Sequence, residues 1–160
     1  MDKNKSIEAL QFFITNLNAQ SFQHKLQAKV FGSQGFSKLE EKYLEHAKEE
    51  AEFVDQFIDR LIDLGGEIKQ EAVAAQTLHT NVVEFLKADQ KVSVEGIELL
   101  RKCIDGIKDD ITTFEIFKAY LKDEEDDLYW TDGQLQLIDL IVDAQEAVLR
   151  FIQLALGFLA

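Results

Sequence analysis

A chain of 160 residues, 46% hydrophobic and 29% charged, is sized for one folded domain with its own core rather than for a disordered tail. Its 17 basic residues against 30 acidic ones, a net charge of −13 and the absence of any basic block exclude a protein that coats nucleic acid through its phosphates. With no proline and only 8 glycines, long helices are expected instead of a turn-rich β or α/β architecture.

The first predicted helix covers about residues 6–30. Ile7, Leu10, Phe13 or Ile14, Leu17, Ser21, His24 and Ala28 recur on it at three-to-four spacing. FGSQGFS, residues 31–37, reads as a turn, and Ser37 with Glu40 matches a capping box for the next helix. That second helix carries Leu39, Tyr43, His46, Glu50, Phe53, Phe57, Leu61 and Leu64 on one face. It stops at Gly65-Gly66, a left-handed C-terminal cap. Residues 67–80 are long enough to cross the length of a bundle. The third helix starts near Thr80 or Asn81, with Val82, Phe85 or Leu86, Asp89, Val92 or Ser93, Gly96, Leu100, Cys103 and Ile107 on its seam. After a turn near residues 106–110, the fourth shows Ile111, Phe114, Phe117, Leu121, Glu124, Asp127 or Leu128, Leu135 and Ile138.

Asp143 and Glu146 have capping-box spacing ahead of AVLRFIQLALGFLA, so a short fifth helix is expected over residues 143–160. Its apolar character calls for cover by a second copy of the chain, a homo-oligomer joined through this helix and the bundle faces. The lone Cys103 fits a buried core thiol in a reducing compartment. The first residues, MDKNKSIEAL, hold no apolar leader, and no run of about 18 apolar residues could span a bilayer. A cytoplasmic, single-domain protein is the resulting expectation.

Two acids lie on apolar stripes. Glu50 is three residues before Phe53 and seven before Phe57; Glu124 is three after Leu121 and four before Leu128. Within LKDEEDDLYW, Asp123, Glu125 and Asp126 fall to the sides and read as solvated, while Asp127 turns partly inward. Buried carboxylates need a partner, a proton or a metal. Di-iron bundles meet that need with a Glu from each of two helices and a Glu-x-x-His from each of the other two. Here the second helix has Glu50-x-x-Phe53 and the fourth Glu124-x-x-Asp127, so each keeps its Glu and lacks its His.

At these residues the chain resembles the ferritin-like superfamily, nearest the bacterioferritins. The resemblance covers roughly residues 6–142 and shows in FGSQGFSKLEEKYLEHAKEEAEFVDQFIDRLIDLGG, NVVEFLKAD and KDEEDDLYW. It implies an all-α, antiparallel four-helix bundle with one long crossover and a short C-terminal helix. It also implies a hollow multi-subunit cage that stores oxidised iron. Carried over position by position, the bridging glutamates are Glu50 and Glu124. The terminal ligands fall on Leu17, Phe53, Ser93 and Asp127, which implies an incomplete ferroxidase centre. The Met that holds haem in bacterioferritins corresponds to Ala51, so haem is not expected. The starvation-protein (Dps) branch is a second match, through Leu64-Gly65-Gly66 and Asp55 and Asp59. Its intersubunit histidines would fall on Ala28 and Glu40.

The candidate metal ligands are therefore His24, Glu50, Glu124 and Asp127, taking iron at a weak or mononuclear site. His24 has a second reading, as a core histidine hydrogen-bonded to the acids. His46, one turn before Glu50, either meets that acid or faces a cage cavity; with Glu45 and Glu49 it lines that cavity or, more simply, a solvated face. Three functions follow: an iron-binding cage subunit, a scaffold that keeps the bundle without metal chemistry, and an enzyme with a remodelled site. Loss of most ferroxidase ligands argues against an enzyme without deciding the point.

Overall fold

In the computed structural model, which describes residues 3–157, the chain forms α1 (Lys3–Ser33), α2 (Ser37–Asp63), α3 (Val82–Gly106) and α4 (Ile111–Gly157). No strand occurs among the described residues, and no helix there is long and apolar enough to cross a membrane. The four helices expected from periodicity, and the bundle that the resemblance implies, are the observed fold.

The connections are set by local chemistry. Between α1 and α2 the chain reverses at Gly35, whose φ of 87° suits a residue without Cβ. The expected capping box does not form: Phe36 holds the N-cap position, with no side-chain cap, and Ser37 is already helical. Glu40 pairs instead with Lys29 of α1 at 2.7 Å. At the far end of α2 the expected glycine cap is present. Gly65 has φ 77°; its N–H donates to Ile62 O at 2.8 Å and that of Gly66 to Leu61 O at 3.0 Å, the Schellman pair of bonds.

The crossover is held to α1 by glutamines. Gln11 exchanges two hydrogen bonds with the backbone of Lys69, both 2.9 Å, and Gln27 does the same with His79 at 2.7 and 2.9 Å. Residue numbers rise together along α1 and the crossover, so the strap runs parallel to α1 and returns the chain to the end where α2 began. There Asn81 caps α3 by accepting from the Glu84 N–H at 3.0 Å. The α3–α4 turn is tied to α2 through Asp110, which accepts from Arg60 at 2.7 Å and from the Thr113 hydroxyl at 2.7 Å.

No separate fifth helix is present among the described residues, because α4 continues through Asp143 to Gly157. Helix-forming Ala144 and Ala147 and the absence of proline give it no reason to stop. From Asp139 to Leu156 every residue is exposed. Residues 158–160 of the expected helix lie outside the described ones.

The core is divided. One apolar cluster holds Leu10, Phe13, Leu17, Phe57, Leu61, Leu100, Ile104, Phe117 and Tyr120; Cys103 packs half-buried at its side. The other holds Ala28, Phe31, Tyr43, Phe85 and Leu86, with Trp130 against it. Full burial of each large side chain contributes roughly 1.5–3 kcal/mol. On every helix the residues between the two clusters are polar: His24 on α1, His46 and Glu50 on α2, Asp89 on α3, Glu124 and Asp127 on α4.

Candidate metal site in the bundle

The polar layer borders a cavity of about 360 Å³ that also touches Leu17 and Ser93. Each helix supplies its layer residue by the same rule, a polar side chain on an otherwise apolar stripe. Tyr43, His46 and Glu50 follow one another at three-to-four spacing on α2, as do Tyr120, Glu124 and Asp127 on α4.

His24 lies at the centre, 5% exposed. Its Nδ1 is 2.9 Å from Glu50 Oε2 and its Nε2 3.0 Å from Asp89 Oδ1. The Gln20 amide lies 3.0 Å from the same Nε2. Burial works against the imidazolium, but the two carboxylates outweigh it and hold His24 well above the ordinary histidine range. The Tyr43 hydroxyl donates to the second oxygen of Asp89 at 3.0 Å. Burial pushes Glu50 above the usual carboxylate range, with His24 pulling the other way. Glu124 is pushed up to about 8, by burial and then by the charge of Glu50, with the nearby Tyr120 pulling the other way. Burial and the neighbouring Glu50 thus favour its neutral form near pH 7.

Asp127 belongs to a different group. Its Oδ1 lies 2.9 Å from His46 Nε2 and 3.6 Å from Lys42 Nζ. Among the described residues, Glu49, Asp123 and Asp127 form a group that offers one ligand atom each, all within 4.8 Å of one another. The buried Oδ2 of Asp123 has no hydrogen-bond partner. His46 Nε2, also buried, meets Asp127 too obliquely for a hydrogen bond. Burial and the charges of Asp127 and Glu49 raise Asp123 to about 6. Glu49 is raised by burial, Asp127 and Glu45. Three crowded carboxylates with an unsatisfied oxygen, beside an imidazole nitrogen that makes no hydrogen bond, match the donor set of a hard divalent cation.

The structure thus sorts the expected ligands. His24 and Glu50 meet, with Glu124 near Glu50; Asp127 joins the seam between α2 and α4. Two placements are corrected. Asp123, expected in solvent, is half-buried, because it lies about 100° round α4 from Glu124, on the side that faces α2. Of the readings open for His46, the solvated face is set aside: it is 2% exposed, on the inward stripe it shares with Tyr43 and Glu50. Glu45 is exposed and Glu49 half-exposed. Glu125 pairs with Arg101 at 2.6 Å, and the exposed Asp126 with Lys122 at 2.8 Å. Trp130 packs beside His46, ring centroids 6.0 Å apart, whereas Tyr129 is exposed.

Asp89 and Tyr43 stand in the inner network although neither was singled out as a site residue. Asp89 carried the same signal as Glu50, an acid on an apolar seam. The outer group also had a sequence signal: His46-x-x-Glu49 on α2 and Asp123-x-x-x-Asp127 on α4, each pair about one turn apart. Ala51 opens onto an outer groove lined by Asn18, Ser21, Phe22, Lys25, Leu44, Ala47 and Lys48, which offers neither thioether nor imidazole to a haem iron.

The ferritin-like domain family matches residues 7–141. The bacterial ferritin of Neisseria meningitidis serogroup B is 35% identical over 122 residues, 74% of this chain and 79% of the relative. The bacterial ferritin of Pseudomonas aeruginosa is 31% identical over 137 residues, 82% of this chain and 87% of the relative. The bacterioferritin of Streptomyces coelicolor is 29% identical over 137 residues, 82% of each.

Proposed function

From the premise that the chain belongs to the ferritin-like family, we propose that it is an iron-storage subunit of a homo-oligomeric shell in the cytoplasm. In this reading iron is cargo, the ferroxidase centre is incomplete, and no haem is held at Ala51. The metal enters at Glu49, Asp123 and Asp127, with His46 beside them. The observation that carries the reading is the unpartnered, buried oxygen of Asp123 within that carboxylate group. Iron arriving there offsets the crowded negative charge and displaces the proton that Asp123 retains below about pH 6. Of the ligand set expected from sequence, this assignment uses Asp127 and leaves His24, Glu50 and Glu124 in the inner network.

Anaerobic Fe(II) titration of the full chain tests it. Asp123→Asn should weaken uptake about tenfold or more. Wild-type uptake should fall off as pH drops through about 6, where protons compete at Asp123. Unchanged Fe(II) affinity in Asp123→Asn would reject the site, and wild-type protein that binds no Fe(II) would favour the scaffold reading.

A further inference from the structure

Three carboxylates, those of Glu50, Asp89 and Glu124, project into the interior of the bundle. Such a cluster calls for cations or protons. The chain supplies both itself. The His24 ring lies between Glu50 and Asp89 with one nitrogen on each, at 2.9 and 3.0 Å. Tyr43 donates to the remaining oxygen of Asp89 at 3.0 Å. With one ring nitrogen on each acid, and the Gln20 amide also against Nε2, the imidazole turns no nitrogen toward an incoming metal. An ion bound between Glu50 and Asp89 would have to expel a side chain that is 5% exposed and packed among Tyr43, His46 and Phe85, at ring-centroid distances of 5.3, 6.0 and 6.4 Å.

We propose that His24, held against both acids, fills the space between Glu50 and Asp89 and keeps metal ions from binding there. The residue is specificity-determining: it bars metal from the Glu50–Asp89 pair and leaves the seam between α2 and α4 to take it. The barring of that pair stands on the inner network alone, whereas the destination of the metal rests on the function proposed above.

Co(II) is a suitable probe, because anomalous scattering from soaked crystals of the full chain locates each ion separately. In wild-type protein Co(II) should bind at Glu49, Asp123 and Asp127 and be absent from Glu50 and Asp89. In His24→Ala one further Co(II) per chain should appear, bound by Glu50 and Asp89, and the thermal stability lost on substitution should return when Co(II) is added. Co(II) on Glu50 in the wild type, or a folded His24→Ala chain with no added ion, overturns the proposal. If His24→Ala does not fold even with Co(II), the smaller and neutral His24→Asn is judged by the same two outcomes. An empty seam with these results otherwise intact counts against the function proposed above and leaves the role of His24 standing.

Discussion

Glu124 shows how a single residue acquires a property that its type does not carry. In water a glutamate near pH 7 is charged; here burial and Glu50 raise it from 4.5 to about 8. Between those values the folded chain keeps a proton that the unfolded chain has released. Stability therefore declines as pH rises from about 4.5 to 8 and levels off above. Glu124→Gln, neutral at every pH, should remove that slope. Urea unfolding should place the variant about 1 kcal/mol or more above wild type near pH 9 and close to it near pH 4. Parallel pH profiles would show that the carboxyl is better solvated than its position implies. Asp123 is the opposite lesson: its sequence neighbours, four acids in a row with it, suggested a solvated run, and its half-burial against α2 makes it a candidate ligand.

At the scale of elements, the helices and their ends were largely legible. Gly65 is the clearest case, since its φ of 77° and open surroundings mean that a side chain there meets strain and no clash. Gly65→Ala should cost about 1 kcal/mol, read from chemical denaturation, with metal uptake unaltered. A loss far larger than this would point to an interaction beyond the cap. The failed capping box at Ser37 has a simple cause: the α1–α2 turn closes one residue earlier than the motif requires, which hands the N-cap position to Phe36. The glutamine straps on the crossover were not legible, because Gln11 and Gln27 look like ordinary polar residues until the crossover backbone lies beside them.

For the whole molecule, the unresolved demand is α4 beyond the bundle. Asp139, Asp143, Glu146, Arg150 and Gln153 make one narrow polar line at four-three-four-three spacing. Most of the remaining surface there is apolar and exposed, including Leu149, Phe151 and Leu156. An isolated helix of that kind is unstable against association. The double substitution Leu149→Asp and Leu156→Asp should reduce the proposed assembly to smaller species in sedimentation while the bundle's own unfolding free energy stays within about 0.5 kcal/mol. An unchanged sedimentation coefficient would remove α4's tail from the interface.

The sequence by itself determined the helices, their order, the long crossover and the inward position of Glu50, because those features depend on spacing within a segment and on local backbone preference. Only the tertiary structure decided which acids share a volume. His24 and Asp89 are 65 residues apart, and His46 and Asp127 are 81 apart. Whether an inward carboxylate meets an imidazole, a tyrosine or another carboxylate depends on how neighbouring helices rotate and shift against one another. Periodicity within one helix carries no information about that register.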